Sequence, residues 1–478
     1  MNASTNLTNP NTSPLVEFPE AGLRQIRRWG LLIVIGSFLF GYDTAVISGS
    51  LLFITDEFRL DAFEQGSVVS VLLLGAMAGA LFTGRISDRF GRRAVLALLG
   101  IVFTVGIAIA AVANGYWMLM IGRIVMGLGV GGVSAAVPTY LSEISPPQIR
   151  GRMLTLNQLM LVIGMLCAYI VNLIFSESEN WRAMFWIGVV PAAALVLGTL
   201  RLPESPEWLI TKGRIQDAKD VLASVAGSDG ADAVIERHQR AEEKRRAADA
   251  ASGDEQRDGW SALKAREVRP ALVVGLTLAA LQQFAGINTI LYYAPTIMAQ
   301  NGLSASNAIF YSVFIGAINL VMTVASLRLV DRVGRRPLLL GSLIGMGISL
   351  VLLGLTFTAD LPSEITLICM LLYIMSFAIG MGPVFWVILG EVFPPRERAV
   401  GVSAGSTMNW SMNFVVTLLF LPVVAAIGQG QTFWLFAVIC AAGVWFVGRY
   451  VPETRERNFD DIHAELETRW RRRSDATE

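Results

Sequence analysis

Twelve apolar segments, each long enough to cross a lipid bilayer as a helix, run through this chain of 478 residues. A membrane-spanning helix takes about 20 apolar residues. The segments cover 29–54, 66–86, 94–113, 116–140, 153–175 and 181–201 in the first half, and 269–300, 306–330, 337–358, 364–392, 399–425 and 431–451 in the second. Charged residues make up only 16% of the chain, against about 25% in soluble proteins. The sequence therefore predicts an all-α membrane protein with twelve transmembrane helices.

The rest of the composition argues against several other classes of protein. The net charge is zero, which gives no basis for nucleic-acid binding. Cys167, Cys369 and Cys440 lie in apolar segments, and their odd number argues against a disulfide framework. His238 and His463 lie in polar segments, so a histidine-rich metal site is not expected. No catalytic constellation is visible, so we expect neither an enzyme nor a cofactor.

Arginine placement predicts how the chain is oriented in the membrane. One set of connections between apolar segments is rich in arginine, and the alternating set carries acidic residues with almost no positive charge. Positively charged connections stay in the cytosol. We therefore expect a multi-pass protein of the cell (inner) membrane with both termini cytoplasmic. The arginines of the first set are Arg24, Arg27, Arg28, Arg85, Arg89, Arg92, Arg93, Arg150, Arg152, Arg328, Arg332, Arg335, Arg336, Arg396 and Arg398.

The same pattern divides the chain into five regions. Two six-helix halves cover 23–203 and 268–452. Between them, 204–267 is rich in Arg, Lys, Asp, Glu and Ala, and this composition predicts short amphipathic helices and mobile loop in the cytosol. We expect residues 1–22 to form a disordered cytosolic N-terminus and 453–478 to form a cytosolic C-terminal tail.

Three motifs recur in the second half in the same order, 243 to 249 residues after their first occurrence. Three motifs at nearly one spacing indicate a duplicated six-span unit. Both units begin in the cytosol, so the repeat is parallel and suits two halves that rock about a central site. The pairs are 84–93 with 327–336, 143–150 with 391–398, and 203–205 with 452–454.

The repeated motifs place a glutamate and an arginine pair at cytosolic helix ends in each half. We interpret them as an ion-pair latch that holds the cytosolic side shut and breaks when that side opens. The alternative is that the charges only anchor helix ends under the positive-inside rule. The latch residues are Glu143 with Arg92 and Arg93, and Glu391 with Arg335 and Arg336.

With its motifs assembled, the chain resembles the sugar porter family of the major facilitator superfamily, over about nine-tenths of its length. The resemblance implies the major facilitator fold, with twelve transmembrane helices in two six-helix halves plus cytosolic helices. The family usually has Arg where this chain has Glu207, which reverses a charge in a cytosolic helix. The matching motifs are Gly41-Tyr42-Asp43, Asp88-Arg89-Phe90-Gly91-Arg92-Arg93, Pro203-Glu204-Ser205-Pro206-Glu207-Trp208-Leu209, Gln282-Gln283-Phe284-Ala285-Gly286-Ile287-Asn288, Gly382-Pro383-Val384-Phe385-Trp386 and Pro452-Glu453-Thr454-Arg455.

Two charges lie inside apolar segments, Asp43 in the first and Arg123 in the fourth. A charge at that depth costs about 3 kcal/mol, and such residues usually mark an ion or proton pathway. Counting about 1.5 Å per residue puts Asp43 ~22 Å and Arg123 ~18 Å above the cytosolic face, so a pair is feasible. Proton-coupled sugar porters resemble this chain in carrying such an Asp and Arg, which implies proton coupling. The alternative is a permanent buried ion pair.

Amide side chains mark a candidate substrate site. Each amide both donates and accepts hydrogen bonds, which suits a ring of hydroxyl groups. Alternatively, each amide taken singly could form a hydrogen bond between two helices. The amides match the family's sugar-binding positions, as does Trp386, whose face can pack on a sugar and whose alternative role is core packing. The amides are Gln158, Gln282, Gln283, Asn288, Asn319 and Asn409.

Gating residues are expected beside this site. The resemblance implies that Tyr292 and Tyr293 form an extracellular gate above it. Gly286 interrupts the seventh span, and Gly382 and Pro383 interrupt the tenth. Such breaks let half-helices move separately, although a simple packing kink gives the same pattern.

These features predict a proton-coupled monosaccharide importer, with glucose as the first choice of substrate. Its partners would be the monosaccharide, the proton and the lipid bilayer, and we expect it to work as a monomer. A symporter for inositol or a pentose and a sugar facilitator without proton coupling are the alternatives. A sugar sensor fits less well, because only 26 residues follow Pro452 and their Arg469–Arg473 run is typical of a membrane-proximal end. Drug–proton antiport fits less well too, since amides suit hydroxyls better than apolar cations.

Overall fold

The computed structural model describes residues 18–251, 261, 263, 265, 268–394, 397–455, 457 and 459–474. Twelve membrane-spanning stretches account for most of these residues, and no strand occurs among them. The predicted all-α membrane fold is therefore confirmed.

The first six spans contain eight helices, because the first and sixth spans are each broken once. Several helices run past their apolar segments by one turn, so that their charged ends reach the polar boundary of the bilayer. The helices are α1 (Glu20–Ile33), α2 (Ile35–Phe58), α3 (Ala62–Phe90), α4 (Arg92–Ala111), α5 (Tyr116–Ile144), α6 (Pro147–Ser176), α7 (Trp181–Ile187) and α8 (Val189–Thr199).

The linker and the second six spans contribute ten helices in the described residues, and one more follows them. The linker holds α9 (Pro206–Thr211) and α10 (Ile215–Ala251). The spans and the final helix are α11 (Arg269–Phe284), α12 (Ile287–Gln300), α13 (Ala305–Val333), α14 (Arg335–Thr358), α15 (Ser363–Ile379), α16 (Met381–Glu391), α17 (Arg398–Ile427), α18 (Gln429–Tyr450) and α19 (Phe459–Ser474).

Helices occupy both the linker and the C-terminal tail. Helix α10 covers 37 residues, but the non-helical Gly227, where φ is 76°, divides it into two helical stretches. The tail contains helix α19. Helix α1 begins at Glu20, inside the segment expected to be disordered, and residues 1–17 of that segment lie outside the described residues.

The breaks in the seventh and tenth spans have different causes. Between α11 and α12, Gly286 adopts a φ of 92°, a left-handed conformation that favours glycine. The tenth span breaks at Gly380, not at Gly382 and Pro383 as expected. Pro383 lacks an N–H and its ring crowds the carbonyl group four residues earlier, so helix α15 ends at Ile379. Gly382 and Pro383 lie in the first turn of α16, where proline is tolerated.

Glycines allow the closest helix packing in the first half. Gly127 and Gly131 of α5 lie against the backbone of α3, so near Leu72 and Ala76 that a Cβ on either glycine would overlap that backbone. Small residues at four-residue steps allow this approach in membranes. The packing holds α5, and with it Arg123, at a fixed distance from α3.

Hydrogen bonds between the two halves lie in the middle of the membrane or toward one face. We call the face at which Arg92 and Arg335 begin their helices the arginine-rich face, and the other the opposite face. Tyr169 donates to the Leu291 carbonyl oxygen at 2.9 Å, and Ser176 and Ser306 share a 3.0 Å hydroxyl contact near the opposite face. The halves are therefore closed against each other at the opposite face.

Helix α9 lies on the arginine-rich face and carries Glu207. Ser205 caps this helix, and the Trp208 indole donates to the Asp88 carbonyl oxygen at 2.9 Å. Burial raises the pKa of the Glu207 carboxyl, and the negative charge of Glu143 raises it further, against smaller opposing effects of His238, Arg150 and Arg92. Folding therefore makes the charged form of Glu207 less favourable than it is in the unfolded chain.

A raised carboxyl pKa gives Glu207 a definite effect on stability. Its contribution is most favourable below the pKa of the unfolded chain and is lost as the pH rises through the folded pKa. We expect Glu207→Gln to raise the thermal unfolding midpoint at pH 7.5 by about 1 to 3 °C, with a gain that shrinks as the pH falls toward 5. Thermal unfolding of the purified protein across this pH range measures the effect.

Glu236→Gln on helix α10 is the matched control, because Glu236 is exposed beside Arg240. It should leave the unfolding midpoint nearly unchanged at every pH. A lower midpoint for Glu207→Gln at pH 7.5 would show that the glutamate stabilises the fold in its charged form.

Candidate transport site

A buried ion pair lies at the centre of the first half. Arg123 Nη1 of α5 donates to Asp43 Oδ1 of α2 at 3.0 Å, and the two side chains are 2% and 0% exposed. Arg123 Nε also donates to the Val68 carbonyl oxygen of α3 at 3.3 Å. The pair thus joins three helices of one half.

Asp43 retains one unused oxygen. Its Oδ2 atom is buried and has no hydrogen-bond partner among the described residues. A carboxylate oxygen in that position is a site at which a proton can be added without displacing the Arg123 contact on Oδ1. The arrangement can therefore hold either an ion pair or a neutral carboxyl beside the guanidinium.

Four amide side chains form one hydrogen-bonded cluster in the second half. Gln283 donates to Gln282 at 3.3 Å and to Asn409 at 3.2 Å, and Asn409 donates to Gln282 at 2.6 Å. Asn288 donates to Gln283 Oε1 at 2.7 Å. Gln282 also donates to the Met381 carbonyl oxygen at 3.1 Å, directly beside the break in the tenth span. The cluster joins α11, α12, α16 and α17.

The other predicted substrate residues lie outside this hydrogen-bonded cluster. Asn319 is buried on α13, and its amide contacts the Met165 sulfur across the two halves at 4.0 Å. Gln158 on α6 is exposed. Trp386 is 46% exposed and contacts Phe385 edge-on, with ring centroids 4.8 Å apart.

The tyrosines expected at a gate are buried on α12. The Tyr293 hydroxyl donates to the Thr417 carbonyl oxygen at 2.9 Å. Tyr292 interacts with Asn413, which lies one turn beyond Asn409 on α17. Both tyrosines therefore fix α12 to α17 on the side of the amide cluster that faces away from the arginine-rich face.

One aromatic contact joins the ion pair and the amide cluster. The Phe40 ring of α2 lies 5.8 Å from the Trp410 ring of α17, measured between centroids. Phe40 precedes Asp43 by less than one helical turn, and Trp410 follows Asn409 directly. This contact crosses from one half to the other, and no signal in the sequence predicted it.

One arginine of each predicted latch pair contacts its glutamate, and each contact stays within its own half. Arg336 instead donates to the Gly448 carbonyl oxygen. Arg92 donates from Nε and Nη2 to Glu143 at 2.9 to 3.1 Å, and Arg335 Nη2 donates to Glu391 at 3.2 Å. The first pair joins α4 to α5 and the second joins α14 to α16. The pairs therefore fix helix ends inside each half, and they do not bridge the halves.

Two further glutamates, missed at the sequence level, complete these networks. Glu204 accepts the backbone N–H groups of Arg92 and Arg93 at 2.8 and 3.2 Å. Glu453 accepts those of Arg335 and Arg336 at 2.9 and 3.1 Å. Each carboxylate thus occupies a helix N-terminus, where negative charge is favoured. The repeated Pro-Glu-Ser and Pro-Glu-Thr motifs were the available signal.

Burial and hydrogen bonding oppose each other at Glu453. Partial burial raises its pKa, but the backbone N–H groups of Arg455, Arg335, Arg336 and Thr454 together outweigh that effect and lower the pKa below its usual value. The stability that Glu453 adds is therefore present at neutral pH and is lost as the pH falls through the lowered pKa.

Comparison with known proteins shows which family this chain resembles. The family model described as "Sugar (and other) transporter" matches residues 29–466. A D-xylose transporter of Levilactobacillus brevis is 40% identical, covering 90% of this chain and 94% of the relative. A glucose transporter of Staphylococcus epidermidis is 37% identical, covering 92% and 97%, and a galactose–proton symporter of Escherichia coli is 34% identical, covering 91% and 93%.

A solved structure agrees with the fold. The inward-open conformation of the xylose transporter from Escherichia coli is 28% identical and superposes with a TM-score of 0.79, covering 92% of this chain and 99% of that chain. The matched family and these relatives are described as transporters and not as enzymes. Twelve spans, the repeated arginine-rich motifs and these similarities lead to one conclusion: the chain belongs to the sugar porter family of the major facilitator superfamily.

Proposed function

We propose that this protein imports a monosaccharide together with protons by alternating access, and that Asp43 and Arg123 couple the two fluxes. The observation that carries the proposal is the buried pair, with Arg123 on one oxygen of Asp43 and no described residue bonded to the other. A permanent ion pair is weak evidence for stability. A carboxyl that gains and loses a proton gives the pair a function.

The arginine-rich face is the cytosolic one in this proposal. The positive-inside rule places arginine-rich connections in the cytosol, and it puts both chain termini there, in the cell (inner) membrane. The hydrogen bonds between the halves lie away from this face. The structure would then represent a state closed toward the outside, in line with its similarity to an inward-open relative.

The proposed coupling follows from the charge of Asp43. An ionised Asp43 holds Arg123, and the pair restrains α2 against α5. Protonation at Oδ2 neutralises Asp43 and weakens the attraction, which lets these helices shift. The Phe40–Trp410 contact connects α2 with the amide cluster of the other half. A sugar in that cluster would thereby alter the same helix that carries the proton.

The available energy is sufficient for uphill transport. A membrane potential of 100 mV supplies about 2.3 kcal/mol per charge, and one pH unit adds about 1.4 kcal/mol. Together, about 3.7 kcal/mol permits roughly 500-fold accumulation of sugar per proton.

The amide cluster supports a polyhydroxylated substrate, and glucose is our first choice. Gln282, Gln283, Asn288 and Asn409 offer donors and acceptors on neutral groups. We propose that a substrate cavity lies beside this cluster, with Gln158 and Trp386 on its wall, Asn319 at its border between the halves, and Tyr292 and Tyr293 at its outer gate. Gly286 and the Gly380–Pro383 segment would let the half-helices beside it move.

A closely related substrate is the second candidate. Relatives are named for D-xylose, glucose, galactose and myo-inositol, and each of these compounds presents a similar set of hydroxyl groups. Uptake of the four labelled compounds into proteoliposomes, with and without a pH gradient, identifies the substrate and tests for coupling together.

Neutralising Asp43 should separate sugar transport from proton coupling. We expect Asp43→Asn to abolish uphill uptake driven by a pH gradient, a loss of at least about 100-fold in accumulation, because the amide cannot be protonated. Exchange of labelled sugar down its own gradient should persist. Proteoliposome uptake and counterflow assays measure the two activities.

Asp56→Asn is the matched control, since Asp56 is an exposed carboxyl on the same helix α2. It should retain gradient-driven accumulation. Accumulation that survives in Asp43→Asn would remove Asp43 from the coupling mechanism, and loss of counterflow as well would assign it a structural role.

Removing one amide of the cluster should weaken sugar binding. We expect Gln283→Ala to raise the apparent KM for sugar counterflow by about 5- to 100-fold, which corresponds to one lost hydrogen bond and its unsatisfied partners. Asn172→Ala is the control, because this buried amide bonds the Ala45 backbone between α6 and α2. An unchanged KM in Gln283→Ala, or an equal rise in Asn172→Ala, would contradict a substrate site at the cluster.

A further inference from the structure

An apolar groove crosses the outer surface of the second half, between helices α14 and α18. Its volume is about 430 Å³. Large apolar side chains along it are exposed, among them Ile344, Ile348 and Leu352 at 47, 57 and 41%. The groove thus faces the hydrocarbon of the bilayer and lies apart from the amide cluster. It plays no part in the proposed transport mechanism.

Small residues form the floor of this groove. The floor consists of Gly347 of α14 and of Ala437 and Ala441 of α18, whose small side chains leave space between the two helices. A Cβ placed on Gly347 would find its nearest neighbour, the Cys440 Cβ, at 3.5 Å, an ordinary van der Waals distance. The space above Gly347 is therefore open.

The groove extends from near the arginine-rich face to beyond the middle of the membrane. At about 1.5 Å per residue, its α18 side runs from Val444, ~9 Å from the helix end at Tyr450, to Ala437 at ~20 Å. Its α14 side reaches Leu352, ~26 Å from the start of that helix. The groove therefore spans ~17 Å along the membrane normal, close to the ~15 Å that the acyl chains of one leaflet fill.

Positive charge lies at the end of the groove near the arginine-rich face. Arg449 is exposed in the last turn of α18. Trp445, one turn earlier, is 62% exposed, and exposed tryptophans mark the boundary between hydrocarbon and headgroups. Arg449 therefore lies at the level of the lipid headgroups.

Helix α19 is attached at the same place through Arg469, which is also paired with Glu465 at 2.6 Å. Arg469 Nη1 donates to the carbonyl oxygens of Gly448 and Arg449 at 3.4 and 3.2 Å, and the Trp470 ring lies 5.8 Å from the Tyr450 ring. These contacts fix α19 to the end of α18. The helix continues through positions 471–473, all arginine, within one turn of this attachment.

We propose that the groove and this basic end form a binding site for one anionic phospholipid. One acyl chain occupies the groove between α14 and α18, and the negatively charged headgroup lies at the Arg449 end of the groove, beside the last turn of α19. Charge complementarity at one end of a groove as long as one leaflet is thick favours this occupant. Juxtamembrane basic clusters attract anionic lipids.

Native mass spectrometry of the full-length protein in detergent tests the site with added phosphatidylglycerol and phosphatidylcholine. We expect the first phosphatidylglycerol to bind at least tenfold more tightly than phosphatidylcholine. Arg471→Gln, Arg472→Gln and Arg473→Gln combined should remove this preference. Gly347→Phe should fill the groove and weaken binding of both lipids at least tenfold, and Ala441→Phe is a second groove-filling variant should the first not fold.

Matched controls lie elsewhere on the same protein. Gly341→Phe adds the same ring to α14 at a position with no atom within 4 Å of its Cβ, outside the groove, and should leave lipid binding unchanged. Replacing Lys219, Arg237 and Arg240 of α10 by glutamine removes three charges away from the site and should preserve the preference for phosphatidylglycerol.

Three results would overturn the proposal. The first is equal binding of the two lipids by the unchanged protein. The second is a preference that survives the triple arginine substitution. The third is that Gly347→Phe or Ala441→Phe disrupts a dimer without affecting lipid binding, which would make the groove an interface between copies of this chain.

Discussion

The buried contact between Asp43 and Arg123 is the interaction on which the transport account depends. Either charge alone inside the bilayer is costly. Together they form an ion pair, with 3.0 Å between Arg123 Nη1 and Asp43 Oδ1, that joins α5 to α2. Gly127 and Gly131 bring α5 against α3, so Arg123 has a fixed position and cannot follow Asp43 if α2 shifts. In the proposed mechanism, a shift of α2 against α5 changes the Asp43–Arg123 distance and with it the protonation of Asp43.

The proton and the sugar are assigned to different halves of the molecule. The ion pair lies in the first half and the amide cluster in the second, and the Phe40–Trp410 contact joins α2 to α17 between them. At the arginine-rich face, the Arg92–Glu143 and Arg335–Glu391 ion pairs each lie within one half of the described structure. They fix helix ends there, away from the depth at which Arg123 contacts Asp43.

Much of this architecture follows from the sequence because helices in a bilayer have fixed length and rise. Counting residues from the two membrane faces is enough to place Asp43 and Arg123 at similar depths. Rotation about a helix axis is harder to predict, so the four clustered amides were not distinguishable from Asn319, which contacts Met165. The break at Gly380 lies upstream of Pro383 because proline acts on the preceding turn.

Helix α19 was predictable from the sequence, because Ile462, Leu466 and Trp470 are apolar residues at four-residue spacing. Substrate identity depends on pocket shape at a scale that residue types do not specify.

The most direct test of proton coupling is to follow protons and sugar at once. Proteoliposomes held at zero potential receive glucose, xylose, galactose or inositol without an imposed pH gradient, while a pH indicator reports the outside medium and a label reports uptake. The account predicts that the transported sugar alkalinises the medium at a rate proportional to its entry. Entry of that sugar with no change in external pH would contradict it and leave a facilitator.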